Sequence, residues 1–188
     1  MSPNKKTALE DLINKLEEKE YIVKSKSEWA SSIHLVLKAD RKTWRMVVDY
    51  RLINKRTARD SYPIPRMKEL LYELSGKRYY SVIDLEMGFY NLKLSKESRK
   101  YTAFNCHLGL YEWTVLPMGF TNAPAEFQRV MDAILGHLYK KGVYCYIDDI
   151  IIATMTEESN LELIKEVVNA LNLANDQHIW GFGYLTHC

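Results

Sequence analysis

Tyr144-Cys145-Tyr146-Ile147-Asp148-Asp149-Ile150-Ile151-Ile152 sets two acidic residues between two β-forming runs. Val143 to Ile147 and Ile150 to Ala153 are rich in β-branched and aromatic side chains, which fit a pleated surface, so both read as strands. The polar break between them, Asp148-Asp149, reads as a hairpin turn that carries two carboxylates side by side. Aspartate is common in turns for conformational reasons alone, so an isolated Asp-Asp is more often a solvated turn than a site. A second carboxylate upstream shifts that balance. Tyr79-Tyr80-Ser81-Val82-Ile83 is another strand-like run, and it ends in Asp84. Two strands of buried type delivering three carboxylates point to a hard-cation site. Magnesium takes oxygen ligands, keeps several waters, and is held by one or two carboxylates plus substrate phosphates.

The 188 residues are 47% hydrophobic and 27% charged, which is enough apolar material for a core. Length favours one domain, or one with two lobes. No apolar run approaches the roughly 18 residues of a spanning helix. Met-Ser-Pro-Asn-Lys-Lys leads into a charged amphipathic segment rather than a secretory signal. The expectation is an intracellular, cytoplasmic chain with no membrane partner. Cys106, Cys145 and Cys188 show no paired spacing, so reduced thiols are expected, the first two buried. The five histidines lack zinc-ligand spacing.

Net charge is only +2, but it is unevenly spread. Between Lys38 and Lys100 there are sixteen Lys and Arg against eight Asp and Glu, a net of +8. From Gly142 onward one Lys stands against seven acidic residues, a net of −6. A basic stretch beside an acidic hairpin suits an enzyme that handles polyanions, because metal ions offset the acidic part.

Periodicity supplies the remaining elements. Leu9, Leu12, Ile13 and Leu16 make one apolar stripe on a helix from about Thr7 to Glu20. Ile33 to Leu37 and Trp44 to Asp49 read as strands joined by the charged turn Ala39-Asp40-Arg41-Lys42. Pro63 and Pro65 introduce a helix with Met67, Leu70, Leu71 and Leu74 inward. Tyr101 to Cys106 and Leu110 to Val115 read as a hairpin around Gly109. A helix from about Asn122 to Tyr139 buries Phe127, Val130, Met131, Ile134 and Leu138. A last one from about Glu157 to Leu173 buries Leu161, Ile164, Val167, Val168 and Leu171. The pattern is α+β with antiparallel hairpins. It lacks the Gly-rich phosphate loop of a doubly wound nucleotide fold.

Several motifs then fall in one order: Trp44-Arg45-Met46-Val47-Val48-Asp49-Tyr50-Arg51-Leu52-Ile53-Asn54-Lys55, Tyr62-Pro63-Ile64-Pro65-Arg66, and Val82-Ile83-Asp84-Leu85-Glu86-Met87-Gly88-Phe89-Tyr90. Leu116-Pro117-Met118-Gly119-Phe120-Thr121-Asn122-Ala123-Pro124-Ala125-Glu126-Phe127-Gln128 and Tyr146-Ile147-Asp148-Asp149 complete the set. Together they resemble the reverse transcriptases of gypsy-type long-terminal-repeat retrotransposons, relatives of retroviruses. The resemblance covers roughly Leu9 to Leu171.

It implies a right-hand polymerase with an antiparallel palm sheet. Residues 1–60 and 92–122 would form the fingers, and 61–91 and 123–175 the palm. The implied activity is RNA-directed DNA synthesis from deoxynucleoside triphosphates on a primed RNA or DNA template. Phosphoryl transfer of this kind needs positioning and charge neutralisation more than covalent help. Two Mg2+ ions, or Mn2+ in their place, about 3.5–4 Å apart would serve it. Asp84 and Asp148 are the implied bridging ligands, with Asp149 a weaker or outer one. Arg45 matches a basic position that forks onto the triphosphate, and Lys38 adds a point charge, with Arg41 and Lys42 as competitors. Phe89 matches the aromatic under the incoming sugar, where a ring excludes a 2′-hydroxyl. Met118 would line the nucleotide or template pocket where retroviral relatives place a glutamine, and Gly119 would let backbone approach the substrate.

Residues 176–188 do not follow the family pattern, and a thumb and ribonuclease H domain are expected to be absent. Two readings follow. One is a polymerase domain active when its missing parts are supplied. The other is a truncated, non-enzymatic retroelement remnant that binds nucleic acid or a partner without turnover. The intact Asp84, Asp148 and Asp149 favour the first.

Overall fold

Short apolar runs broken by Gly, Pro and charged turns resolve into α1 (Pro3–Glu18), β1 (Ile22–Lys24), β2 (Ser31–Leu37), β3 (Trp44–Val48), α2 (Arg51–Asn54), α3 (Met67–Leu74), β4 (Tyr79–Asp84) and β5 (Lys93–Leu94). Then follow α4 (Lys96–Arg99), β6 (Phe104–Cys106), β7 (Gly109–Trp113), α5 (Ala123–Leu135), β8 (Val143–Tyr146), β9 (Asp149–Thr154), α6 (Glu157–Asp176) and β10 (Gly181–Gly183). The structure is a computed structural model and describes residues 3–85, 87–176 and 181–183. Most of the divergent segment 176–188, Cys188 included, lies outside the described residues. Chain contacts divide into two compact units, residues 3–58 with 93–121, and residues 59–85, 87–92 and 122–176. Among the described residues no helix is long and apolar enough to cross a membrane.

The first unit is a five-stranded sheet in the order β1-β7-β6-β2-β3. Its pairs are antiparallel except β2 with β6, which run parallel through Ser31 opposite Phe104. Leu9 and Ile13 of α1 are fully buried, as are Ile22, Phe104, Tyr111 and Leu116. Tyr50 is buried with its hydroxyl donating to the Thr102 carbonyl at 2.9 Å, and its ring lies 4.1 Å from that of Phe120. Apolar bulk and a satisfied hydroxyl together explain why this tyrosine sits inside.

The second unit carries the antiparallel sheet β4-β9-β8, with β9 in the centre. Side chains alternate across a strand. Val143, Cys145, Ile150 and Ile152 point to one face and are essentially fully buried. Helices α5 and α6 cover that face with Phe127, Met131, Leu135, Leu163 and Val167. Asn160 of α6 is buried as well, held by Ser81 Oγ at 2.6 Å and donating to the Ile152 carbonyl at 3.4 Å. The alternate face, with Tyr80, Val82, Asp84, Tyr144, Tyr146, Asp149 and Ile151, is much more open. Val82 is 66% exposed.

Several sequence expectations need correction. Helix α1 starts at Pro3 rather than Thr7, and Tyr101 and Thr102, expected as strand, belong to a 3-10 turn, Lys100–Thr102. Met67 and Leu71, expected inward, are exposed, and α3 buries Leu70. Leu161 and Val168 of α6 are also exposed, whereas Asn160, Leu163, Val167 and Ala174 form its seam. An apolar stripe passes over Asn160 and Ala174, because one is buried by hydrogen bonding and the other by small size. β4 is an edge strand with an open face, not a strand buried on both sides. Cys145 is buried as expected, but Cys106 is only half-buried.

Burial in the second unit has a pH signature. Burial pushes the Cys145 thiol from an ordinary value of 9.0 up to about 12. It also raises Tyr139 above its ordinary range and, with the Asp132 hydrogen bond, Tyr62 to about 12. A raised folded-state value means the folded chain holds its proton longer than the unfolded chain. Stability is therefore full below about pH 9 and declines between about 9 and 12. Denaturant midpoints measured from pH 7 to 11 should fall on that alkaline limb, and Cys145→Ala should flatten part of the fall. An identical slope in the variant would assign the loss elsewhere.

Candidate active site

The acidic hairpin is displaced by one residue from its sequence reading. Tyr146 pairs with Asp149, so the two-residue turn is Ile147-Asp148 and Asp149 is the first residue of β9. On the other side of β9, Asp84 lies directly opposite Asp149. Opposed residues on neighbouring strands place their Cβ atoms about 4.5–5.5 Å apart. The Leu85 N–H donates to the Asp148 carbonyl at 3.4 Å, which ties the end of β4 to the turn. Asp84 and Asp149 are exposed and Asp148 is half-buried, at the rim of the sheet's open face.

The turn is strained. Ile147 has φ +56°, a left-handed conformation that is unusual for a β-branched residue. Its N–H is held by Gln128 Oε1 at 2.9 Å and its carbonyl accepts from the Cys145 thiol at 3.3 Å. Strain of this kind persists only where surrounding groups over-determine it, and it clusters at functional sites. Gln128 closes the Leu116–Gln128 motif, and its local sequence assigns it no role. Its signal is a fully buried polar side chain, which only the fold reveals.

The carboxylates form an all-oxygen donor set, the kind a hard dication takes. Among the described residues no three His, Cys, Asp or Glu side chains stand converged as a ready-made cage. Like charges repel without a counter-ion between them, and magnesium needs only one or two carboxylates because water and substrate supply the rest. The paired positions of Asp84 and Asp149 and the adjacent Asp148 meet that requirement.

Phe89 follows in a short 3-10 segment, Gly88–Asn91, and is 9% exposed. Its ring lies 4.9 Å from that of Phe127 on α5. A Cβ on Gly88 would come within 3.1 Å of the same Phe127 ring. Backbone and aromatic pack closely here, so the position of Phe89 is set by the core.

The other candidates lie in the first unit. Lys38 begins the β2–β3 loop and Arg45 lies on β3 opposite Val36; the pleat sends both from one exposed face of the hairpin. The loop is stapled by Asp40, which accepts from the Lys42 and Thr43 backbone N–H at 2.8 and 3.0 Å and from the Thr43 hydroxyl at 2.5 Å. These bonds, chiefly those from Thr43, hold the Asp40 carboxyl at about 2. Arg41 and Lys42 lie in that tight turn. Met118 is half exposed and precedes Gly119, whose φ is +101°. Asn54 of α2 clamps this loop, donating to the Gly119 carbonyl at 2.8 Å and accepting from the Thr121 N–H at 3.0 Å. It is a second positioning side chain that the sequence alone did not single out.

A family model described as reverse transcriptase (RNA-dependent DNA polymerase) matches residues 36–177. The Transposon Tf2-3 polyprotein of Schizosaccharomyces pombe is 34% identical over 175 residues, covering 93% of this chain and 13% of that polyprotein. The retrovirus-related Pol polyprotein from transposon 412 of Drosophila melanogaster is 35% identical over 160 residues, covering 82% and 13%. Among solved structures, the foamy viral protease-reverse transcriptase in complex with an RNA/DNA hybrid matches with TM-score 0.83 and 31% identity, over 92% of this chain and 23% of that one. A structure of that enzyme with double-stranded DNA matches with TM-score 0.81 and 32% identity, over 90% and 35%. The chain therefore spans a small part of the length of each relative.

Proposed function

The chain belongs to the reverse transcriptase (RNA-dependent DNA polymerase) family, and from that we propose that it carries the catalytic carboxylates of an RNA-directed DNA polymerase. The reaction is addition of a deoxynucleotide to a primer 3′-hydroxyl with release of pyrophosphate. The supporting observation is Asp84 opposite Asp149, with Asp148 beside it on a strained turn, at the rim of an open sheet face. The second unit takes the part of the palm and the first that of the fingers.

Asp84 and Asp148 would hold the divalent cations, Mg2+ or Mn2+, with Asp149 as an outer ligand. Such ions lower the pKa of the attacking hydroxyl and neutralise charge on the transferring phosphate. The protein's own part is placement. Arg45 and Lys38 supply positive charge for the triphosphate. Met118 and Gly119 form the nucleotide-side loop that Asn54 holds. Val82, Ile151 and Tyr146 offer an apolar, aromatic floor beside the carboxylates for a primer end. The macromolecular partner is a primed RNA or DNA template, and the working location is inside the cell.

Magnesium-dependent primer extension by the intact chain tests this reading. Template-directed addition of single deoxynucleotides, lost with chelator, is expected. Binding to primer–template should weaken steeply with salt, since each neutralised duplex phosphate contributes a log–log slope of about −0.9. Salt-sensitive binding with no incorporation, even with a downstream segment of a relative supplied, would favour the non-enzymatic alternative.

Phe89 is proposed as the sugar-discriminating ring. Because it also packs on Phe127, Phe89→Ala should cost about 3–5 kcal/mol of stability, so Phe89→Leu is the better probe. It should raise ribonucleotide incorporation relative to deoxynucleotide incorporation. An unchanged ratio would leave Phe89 a core residue only.

A further inference from the structure

The left-handed backbone of Ile147 is held through Gln128, and the orientation of Gln128 has a cause of its own. A primary amide has an accepting end and a donating end of similar size, so packing alone does not choose between them. Asp132, one turn further along α5, makes the choice. Its Oδ1 accepts from Gln128 Nε2 at 2.8 Å and from the Tyr139 hydroxyl at 2.6 Å. Its Oδ2 accepts from the Tyr62 hydroxyl at 2.7 Å. A carboxylate offers no donor. The amide nitrogen must therefore face Asp132, where it also reaches the Cys145 carbonyl at 3.4 Å, and the amide oxygen must face the Ile147 N–H.

We propose that Asp132 is a positioning residue for the Ile147–Asp148 turn. It fixes the Gln128 amide and, through it, the backbone that presents Asp148. The chain of contacts runs within one unit, from Tyr62 and Tyr139 through the carboxylate and the amide to the turn. This rests on reading the turn as catalytic, and the test below separates the two claims.

Amide hydrogen exchange of the intact chain, followed by NMR, reads the contact without any activity. Asp132→Asn presents one oxygen where three donors need acceptors, and its own NH2 competes for the Gln128 oxygen. Exchange at Ile147 should rise about tenfold, the value of one ordinary hydrogen bond, while Ile151 and Ala153 keep parental rates. Tyr62→Phe removes a donor but leaves the carboxylate facing Gln128, so Ile147 should stay within about twofold of parental. In the parental chain itself, the Gln128 side-chain NH2 should be protected. Unprotected side-chain protons, an unchanged Ile147 rate in Asp132→Asn, or an equal rise at every amide would each overturn the proposal.

Primer extension adds the functional arm. Asp132→Asn should lower kcat for the first addition with KM for the nucleotide near parental. Combined with Gln128→Leu it should be no worse than Gln128→Leu alone, because Asp132 acts through that amide. Additive losses would make Asp132 a fold staple instead. If exchange responds as expected while the parental chain shows no synthesis even with a relative's downstream segment supplied, the positioning stands and the catalytic reading falls.

Discussion

Asp84→Asn and Asp148→Asn are each expected to lower primer extension by roughly 10³-fold or more while leaving the fold intact. Losing one preorganised electrostatic stabiliser in an active site typically costs about 10²–10³ in rate, and a carboxylate that binds the ion directly should cost at least as much. The substitutions are nearly isosteric. Asp84 is exposed at the end of an edge strand, and Asp148 lies in a turn whose backbone is held by Gln128 and Cys145, not by its own side chain. Removing one of several neighbouring negative charges relieves repulsion, so the melting temperature should stay level or rise slightly. Asp149→Asn should lower the rate less than Asp148→Asn. Magnesium should raise the melting temperature of the parental chain by mass action and should raise that of Asp84→Asn less. A variant that extends primers at near-parental rate would remove that residue from the site, and equal metal stabilisation of parent and variant would place the metal elsewhere.

Gly142→Ala should be the most damaging single-methyl change in the second unit. Gly142 closes the 3-10 segment after α5 with φ +111° and enters β8 directly. A Cβ there would lie 2.5 Å from the Ala153 carbonyl oxygen, a backbone atom of the central strand that cannot swing aside. The Gly142 carbonyl also accepts from the Ala153 N–H at 2.9 Å, so moving either strand breaks that bond. Strain in this region costs of order 1–3 kcal/mol, and the clash adds to it. A loss of about 3 kcal/mol or more corresponds to a fall in melting temperature of roughly 6–12 °C for a chain of this length. Gly136→Ala is the control. A Cβ there meets nothing within 4 Å and the backbone is already right-handed, so it should be neutral or slightly stabilising. Equal melting of parent and Gly142→Ala would contradict the close approach of β8 and β9.

Legibility differed between elements for physical reasons. The β2–β3 hairpin, α5 and the two strands around the acidic turn were readable because their burial is one-sided and their residues are strongly patterned. The seam of α6 was not, since Asn160 is buried by three sheet contacts and Ala174 by size, and neither leaves an apolar signature. The exposure of Met67 and Leu71 was equally hidden, because a helix's apolar residues do not reveal how wide a surface it meets. The acidic hairpin was found but misregistered by one residue, because the β-branched Ile147 reads as strand and only its supports allow it to turn.

The identities and order of Asp84, Asp148 and Asp149, and the strands that carry them, were determined by the sequence itself, through local residue chemistry and motif spacing. Which residues oppose each other was decided only by tertiary structure. Pairing Asp84 with Asp149 needs a register between strands more than sixty positions apart. Turning the chain at Ile147 needs Gln128, whose amide is in turn set by Asp132. Such contacts depend on how a helix docks on a sheet, a collective result of burial that no local window of sequence encodes.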